Sequence, residues 1–346
     1  MVHPREVLLG AQGGSTRLPV CDHYCGTEAQ MRKALALQAE LTQEFGTCVF
    51  DVTLDCEDGA AVGAEAEHAA LVAQIALSAP PLARVAVRVH AVDHPAFAAD
   101  IQIIVGLAGH RLCHLMIPKV EGLQDINIVK NALQPWFSLP LPLHILIESP
   151  AAVARAFEMA SHPAVQSLSF GLMDFVSAHG GAIPASAMSF APEEQGGAAL
   201  DQFSHPHVVR AKLVIAAACH AHGKVPSHCV VTEFHDAQRV QQAARKASAE
   251  FAYTRMWSIH PNQIRPILAA FAPTALEIEI ASEIVAMAAE NDWAPISFDH
   301  KLHDRASYRY FWQVLERAHQ TGKTLPLAVQ TFFQPPSVAQ LATGLV

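Results

Sequence analysis

The feature that most constrains this chain is the repeated alternation of short apolar runs with longer stretches of helical periodicity. The runs are rich in β-branched residues, and alternation of this kind is typical of parallel βαβ units in α/β proteins. We predict eight strands, at residues 6–9, 47–54, 85–89, 114–117, 144–147, 167–170, 227–231 and 255–259. Eight helices are predicted among them, at residues 27–45, 64–77, 95–107, 122–134, 150–160, 206–222, 234–250 and 261–270. This count favours a (β/α)₈ TIM barrel over residues 1–270, because a doubly wound sheet usually has about five or six strands.

The pattern changes after residue 270. Residues 275–291 and 306–321 have amphipathic helical periodicity and are joined by an irregular connection at 293–304. We therefore predict that residues 271–346 form a C-terminal helical extension and not a ninth βα unit. A long irregular stretch at 179–206 is rich in Gly, Pro and Ser, and loops of this length often form a lid or a wall of a site.

Composition narrows the range of partners. Of the 346 residues, 51% are hydrophobic and 16% charged, and the formal net charge is −9. An acidic chain is a poor non-specific nucleic-acid binder, and no apolar run reaches the roughly 18 residues of a membrane span. The N-terminal apolar stretch is too short for a secretory signal. The seven cysteines are odd in number and scattered, so we expect reduced thiols in a cytoplasmic protein.

Motifs that are typical of several other enzyme classes are absent from the sequence. The sequence has no nucleophile elbow, no P-loop and no dinucleotide-binding glycine motif. The segment C-D-H-Y-C at 21–25 carries ligands for a soft metal, but it lacks a second Cys/His pair at zinc-finger spacing. We therefore interpret residues 21–25 as a loop before a helix, and the 20 histidines as mostly ordinary surface or hydrogen-bonded residues.

Ionisable side chains follow the predicted strands at one end. In a (β/α)₈ barrel the active site lies at the C-terminal ends of the strands, so this arrangement predicts an enzyme. The ionisable residues at these ends are Asp55, Glu57, Asp58, Arg88, His90, Lys119, Glu121, Glu148, Asp174 and His260.

Three of these residues are open to two interpretations each. Glu148 and Asp174 follow adjacent strands, and a pair of carboxylates suits Mg²⁺, but either residue could instead cap a following helix. Arg88 could bind a substrate carboxylate or form a structural salt bridge with Glu57 or Asp58.

Four strand-end segments resemble a known family. L-D-C-E-D-G-A at 54–60 is similar to the D-L-E-D-A/G-V segment of the HpcH/HpaI aldolase and citrate lyase β-subunit-like family. V-R-V-H at 87–90, I-P-K-V-E at 117–121 and I-E-S at 147–149 resemble its V-R-V-N, L-P-K-V-E and I-E-T segments.

The resemblance continues toward the C-terminus in the family's order. F-G-L-M-D-F at 170–175 resembles F-G-x-x-D-F, and I-H-P-N-Q-I at 259–264 resembles I-H-P-x-Q-I. K-L-H-D at 301–304 is a weakened K-M-I-D. The resemblance implies a metal-dependent carbon–carbon lyase on a (β/α)₈ barrel, which makes or breaks bonds in small 2-oxo or hydroxy acids or their CoA thioesters with Mg²⁺.

The family's site residues can be placed on the matching positions. Glu148 and Asp174 would bind the metal, and Arg88 would hold the carboxylate or enolate oxygen of the substrate. Glu57 and Asp58 would organise waters and Arg88. The F-G-x-x-D-F segment would also place Gly171, Leu172 and Met173 against the substrate.

The resemblance also implies an assembly. The C-terminal segment of the family often forms a lid over the site of a neighbouring subunit and offers an aspartate, here Asp304, as a catalytic group. Homotrimers or homohexamers are typical, and the partner is a small oxo acid or an acyl-CoA.

The chain departs from the family at its N-terminus. Family members commonly begin with a strand followed by F-V-P-G-x and a basic segment, whereas the predicted first strand here runs into G-A-Q-G-G-S-T-R-L-P at 10–19. His90 and His300 replace the family's Asn and Gly. The sequence is therefore compatible with either a free acid or a CoA thioester as the substrate. The alternatives to a lyase are an acyl-CoA thioesterase or hydrolase on the same metal site and a catalytically silent metabolite-binding subunit.

Overall fold

The chain divides into two compact units. A computed structural model describes residues 3–10, 18–136, 141–191 and 200–333. The larger unit spans Thr16–Phe271, and the smaller combines Met1–Ser15 with Ala272–Val346. The predicted barrel boundary at residue 1 is therefore wrong, because the first residues of the chain group with the C-terminal segment.

The larger unit is a closed barrel of eight parallel strands, which confirms the predicted fold. Each strand pairs with the next along the chain, and the last closes the ring by pairing with the first. The strands are β1 (Cys21–Cys25), β2 (Phe50–Asp55), β3 (Val85–Arg88), β4 (Leu112–Ile117), β5 (Leu143–Ile147), β6 (Val165–Phe170), β7 (Val225–His228) and β8 (Arg255–Ser258).

The position of the first strand corrects two predictions. Residues 6–9 lie in helix α1 (Pro4–Leu9) of the smaller unit, with a proline in the first turn and His3 as N-cap. The segment predicted as a loop, Cys21–Cys25, is strand β1 and is buried along its whole length. Its polar residues are buried because distant residues supply partners, such as the Ser258 hydroxyl that lies 2.8 Å from His23 Nδ1.

Helices occupy the predicted ranges after the strands of the barrel, although the range 150–160 contains two helices and the short helix α9 was not predicted. Helix α2 begins with a capping box in which Thr27 and Gln30 bond each other's backbone N–H. The helices of this unit are α2 (Glu28–Phe45), α3 (Glu65–Ser78), α4 (Phe97–Asp100), α5 (Gly106–Ala108), α6 (Leu123–Leu133), α7 (Pro150–Ala154), α8 (Ala156–Ser161), α9 (Leu172–Ser177), α10 (Pro206–Ala221), α11 (Ala237–Ala249) and α12 (Ile264–Phe271). A π-helical turn, Ile101–Val105, connects α4 with α5.

The N-terminal half of the barrel interior is charged. Arg255 is fully buried, and its Nη2 lies 2.9 Å from Asp22 Oδ2 and 2.7 Å from Asp51 Oδ2. Arg84 donates to Asp51 at 2.5 Å. The rings of His114 and His144 stack 3.5 Å apart. We call this set the interior cluster, and its members are Asp22, Asp51, Arg84, His114, His144 and Arg255.

An apolar layer follows the interior cluster along the strands. Side chains alternate between the two faces of a strand, so a residue two positions after an inward-pointing one also points inward. The layer consists of Tyr24, Met116, Leu146 and Trp257, each two positions after a member of the interior cluster. The rings of Tyr24 and Trp257 stack at 4.5 Å.

The smaller unit is mainly helical. The two predicted C-terminal helices are present as α13 (Ala275–Glu290) and α14 (Arg305–Gln320), followed by the short α15 (Leu327–Gln330). The connection predicted as irregular contains a hairpin of β9 (Ile296–Phe298) and β10 (Lys301–His303). The core of the smaller unit consists of aliphatic side chains from α13 and α14 together with the buried aromatic residues Trp293, Tyr308 and Trp312. None of the helices in the described ranges is long and apolar enough to cross a membrane.

Candidate active site

Arg88 forms the centre of a charged site at the C-terminal ends of the strands. It is the last residue of β3 and lies directly opposite Asp55, the last residue of β2. Asp55 Oδ1 accepts from Arg88 Nε at 2.7 Å, and Oδ2 accepts from Nη2 at 2.5 Å. Arg88 Nη1 lies 3.0 Å from Glu57 Oε2. The structural partners of Arg88 are therefore Asp55 and Glu57, and Asp58 is not one of them.

Asp55 also fixes the loop that follows β2. Its two carboxylate oxygens accept the backbone N–H groups of Glu57 at 3.0 Å and Gly59 at 2.9 Å. Gly59 has no room for a side chain, because a Cβ there would collide with the Asp55 carboxylate. The sequence arguments did not assign a role to Asp55, although its position at the end of a strand beside that of Arg88 was a usable signal.

Lys119 connects two parts of the site. It follows β4 and has a backbone φ of 54°. Its backbone N–H donates to Glu148 Oε2 at 2.6 Å, while its Nζ donates to Glu57 Oε1 at 2.5 Å. Asp58 is more distant, with its Oδ1 3.8 Å from the same Nζ and its side chain 58% exposed.

Glu148 is a buried carboxyl group directly after β5. Its side chain lies two positions beyond Leu146 of the apolar layer, so it points inward at the barrel mouth. Burial raises the pKa of Glu148 to about 8, and the neighbouring charge of Asp174 acts in the same direction. Glu148 does not cap the next helix, because Ser149 is the N-cap of α7 and accepts the Ala152 N–H.

Asp174 lies in the first turn of α9 and is half-buried. The N-cap of α9 is Gly171, and no side chain caps this helix, so the capping interpretation of Asp174 is also wrong. A Cβ on Gly171 would lie 2.5 Å from Glu148 Oε1. Gly171 therefore allows β6 to approach Glu148 closely.

The other two predicted substrate contacts differ in exposure. Leu172 is 2% exposed and packs in the main hydrophobic core, which leaves only its backbone available to a ligand. Met173 is half-buried.

The charges at the mouth do not balance. Five carboxylates face two cations, so the site has surplus negative charge when all groups are ionised. We call this set the mouth cluster, and its members are Asp55, Glu57, Asp58, Arg88, Lys119, Glu148 and Asp174.

Comparison with known proteins places the chain in a family. The sequence model of the HpcH/HpaI aldolase/citrate lyase family matches residues 34–261. The chain belongs to this family. The match covers β2 to β8 and includes every member of the mouth cluster.

Related proteins in the family are carbon–carbon lyases. The L-malyl-CoA/β-methylmalyl-CoA lyase of Cereibacter sphaeroides is 30% identical over 248 residues, which cover 68% of this chain and 76% of the relative. The malyl-CoA/β-methylmalyl-CoA/citramalyl-CoA lyase of Chloroflexus aurantiacus is 26% identical over 260 residues, which cover 71% of this chain and 74% of the relative.

Solved structures show the same fold. A citrate lyase from Burkholderia xenovorans is 45% identical, with a TM-score of 0.76 and coverage of 96% of this chain and 100% of that one. A second structure is the citrate lyase β subunit from Mycobacterium tuberculosis in complex with oxaloacetate and magnesium. It is 20% identical, with a TM-score of 0.56, and the match covers 74% of this chain and 98% of that one.

The loop that follows β1 begins with Gly26. A Cβ on Gly26 would overlap the backbone of Gly59, so this position requires glycine for close packing of two loops. Part of the segment at 10–19, residues 11–17, lies outside the described residues.

The residues at the mouth fit a magnesium ion. Mg²⁺ prefers oxygen ligands and often binds through one or two carboxylates. Glu148 and Asp174 supply such a pair beside surplus negative charge. Within the described ranges, the groups of three close metal-ligating side chains are Asp22, His114 and His144, and Asp51, Cys113 and His114. Both include nitrogen or sulfur ligands, and each contains an aspartate that already pairs with the cationic Arg255, so they do not suit Mg²⁺.

Asp304 has a structural role in the smaller unit. It is the N-cap of α14, and its Oδ1 accepts the backbone N–H groups of Ala306 at 2.9 Å and Ser307 at 3.4 Å. Its side chain is exposed. Its action in the site of a neighbouring subunit stays a prediction.

Proposed function

We propose that this protein is a Mg²⁺-dependent carbon–carbon lyase acting on a small 2-oxo or 2-hydroxy acid or its CoA thioester. The observation that carries the proposal is Glu148, a carboxyl group buried at the C-terminal ends of the barrel strands that interacts electrostatically with both Asp174 and Arg88. The coenzyme A substrates of the relatives and the oxaloacetate and magnesium bound by the neighbour support this substrate class.

The proposed reaction requires stabilisation of an enolate. Cleavage of the bond between two carbon fragments leaves negative charge on an oxygen, and preorganised positive groups lower the energy of that state. Mg²⁺ held by Glu148 and Asp174 would supply a Lewis acid for that oxygen. Arg88 would bind the substrate carboxylate through the N–H groups that Asp55 and Glu57 leave free.

The surrounding residues hold these groups in place. Asp55 fixes one edge of the guanidinium of Arg88, and the ring of Tyr24 lies 5.4 Å from its central carbon. The apolar layer lies below the mouth cluster, where the side chains of Met116 and Leu146 form an apolar floor. A base must take the proton of the substrate hydroxyl as the carbon–carbon bond breaks, and a proton must then be returned to the enolate carbon. A water held by Glu57 and Asp58, or Asp304 of a neighbouring subunit, would accept the first proton and return one to the enolate.

The test is a cleavage assay with defined products. The purified protein is incubated with malyl-CoA, citramalyl-CoA, and the corresponding free acids, with Mg²⁺ or with EDTA. We expect Mg²⁺-dependent formation of a 2-oxo acid and an acetyl fragment. Glu148→Gln and Asp174→Asn should each lower kcat/KM by about 1,000-fold, because each removes a metal ligand and metal ions contribute several kcal/mol. Glu67→Gln, an exposed position on α3, is the matched control.

Two results would contradict the proposed function. Cleavage that continues unchanged in EDTA would exclude the metal role. Release of free CoA with an intact acid would identify a thioesterase and not a lyase.

Assembly and location are part of the same proposal. We infer a homotrimer or homohexamer in which the smaller unit acts as a lid. All seven cysteines are free in the structure, which fits reduced thiols in the cytoplasm.

A further inference from the structure

Lys119 has an unusual backbone conformation. Its φ of 54° lies in the left-handed region, which an L-residue with a side chain rarely adopts. Within the described part of the barrel unit, Ala252 is the other non-glycine residue with positive φ. Residues held in this region cluster at functional sites, where the surrounding structure maintains the strain.

The backbone of Lys119 contacts the proposed metal ligand. In this conformation its N–H donates to Glu148 Oε2 at 2.6 Å. Glu148 is only 6% exposed, so a donor from the protein replaces part of the water that its carboxylate has lost. The bond fixes Oε2 of the carboxylate. The other oxygen, Oε1, lies on the side of Gly171 and does not take part in this bond.

The side chain of Lys119 contacts a different part of the mouth cluster. Its Nζ donates to Glu57 Oε1 at 2.5 Å, while Glu57 Oε2 lies 3.0 Å from Arg88 Nη1. Glu57 is thus held between two cations, and the side chain of Glu57 is 7% exposed against 44% for Lys119. Glu57 therefore bridges the ammonium group of Lys119 and the guanidinium group of Arg88.

We propose that Lys119 is a positioning residue with two separable roles. Its backbone N–H orients Glu148 for the metal, and its ammonium group holds Glu57 against Arg88 so that the guanidinium meets the substrate carboxylate. This inference rests on the proposed function, since it names what supports the metal ligand and the arginine of that site.

Three substitutions separate the two roles. Lys119→Gly removes the ammonium group but adopts positive φ readily, so the N–H should still reach Glu148. Lys119→Val also removes the ammonium group, and its β-branched side chain disfavours positive φ, so the N–H should be displaced. Lys119→Arg restores a cation at this position. Lys130→Ala, an exposed position on α6, controls for the loss of a lysine.

The first measurement is Mg²⁺ binding by calorimetry, which does not depend on turnover. We expect the Kd of Lys119→Gly to stay within about twofold of wild type and that of Lys119→Val to rise at least tenfold. Equal affinities for these two variants would overturn the backbone role. If Lys119→Val does not fold, Lys119→Thr, which is β-branched and polar, takes its place with the same expectation.

The second measurement is steady-state kinetics with the substrate identified in the cleavage assay. Lys119→Gly should raise KM about tenfold while kcat stays within about threefold, and Lys119→Arg should restore most of the loss. An unchanged KM in Lys119→Gly, or no recovery in Lys119→Arg, would overturn the side-chain role. Failure of the wild-type protein to bind Mg²⁺ would overturn the proposed function itself, whereas differences among variants of a Mg²⁺-binding protein concern Lys119 alone.

Discussion

The barrel contains two charged clusters along the same strands, and they differ in charge balance. In the interior cluster, two carboxylates face the guanidinium groups of Arg84 and Arg255. In the mouth cluster, five carboxylates face Arg88 and Lys119. The apolar layer that contains Tyr24 and Trp257 lies between them in the order of residues along the strands.

The difference shows how burial limits charge. A buried carboxylate is tolerated when a cation and hydrogen bonds compensate for lost hydration, as Arg255 does for Asp22 and Asp51. The histidines of the interior cluster add no charge, because burial lowers the pKa of His144 to about 3 and that of His114 well below its usual value. At the mouth, burial raises the pKa of Glu148, and the neighbouring charge of Asp174 raises it further because no cation balances the pair. A surplus of this kind stabilises a bound cation.

The largest expected effect is loss of stability in the interior. Arg255→Met should lower the free energy of unfolding by about 3–5 kcal/mol, because it leaves Asp22 and Asp51 buried without their shared cation. Arg88→Met should cost less stability but more activity, since its carboxylate partners lie at the open end of the barrel. Urea denaturation and the cleavage assay measure the two effects. Equal losses of stability in the two variants would contradict the distinction between the clusters.

The second prediction uses the pH dependence of the mouth. The pKa of Glu148 is raised from 4.5 to about 8, so the folded, metal-free chain retains a proton that the unfolded chain loses. Low pH therefore favours the folded, metal-free chain. This part of the free energy of unfolding is fully present below pH 4.5 and is lost as the pH rises to about 8. Mg²⁺ must displace the same proton, so its affinity should rise about tenfold per pH unit from pH 6 to 8 and level off above.

Thermal melting with and without Mg²⁺ at pH 6, 7 and 8 measures this coupling. The stabilisation by a fixed Mg²⁺ concentration should grow with pH in the wild type, because a ligand that binds only the folded state stabilises it. Glu148→Gln should remove both the stabilisation and its pH dependence, while Arg255→Met should retain them. A Mg²⁺ effect that is independent of pH would contradict the raised pKa of Glu148.

The sequence indicated the mouth better than the interior, for physical reasons. Arg88, Glu148 and Asp174 each follow an apolar run, and the rule that barrel sites lie at the C-terminal ends of strands then brings them together. Strand β1 did not look like a strand, because Asp22 and His23 are polar. Their burial depends on Arg255 and Ser258, more than 200 residues away in the chain.

Other features of the site also depend on tertiary structure. The sequence shows Asp55 at the end of a predicted strand, but the register of β2 and β3, which places it directly opposite Arg88, comes from the structure. The positive φ of Lys119 is accompanied by a hydrogen bond from its backbone N–H to Glu148, 29 residues further along the chain, which the segment I-P-K-V-E alone does not reveal. The N-terminal helix α1 was mistaken for a strand because the short apolar run Val7–Leu9 fits either element.

The smallest expected effect separates two neighbouring carboxylates within the mouth cluster. The family resemblance gives Glu57 and Asp58 the same role, but Glu57 is 7% exposed between two cations and Asp58 is 58% exposed. An exposed ion pair contributes less than about 1 kcal/mol, so Asp58→Asn should lower kcat/KM by less than about fivefold. Glu57→Gln removes a buried, charged hydrogen-bond partner and should lower it by about 10-fold to 100-fold. Equal losses would mean that the surplus charge of the mouth acts as a whole, without regard to the position of each carboxylate.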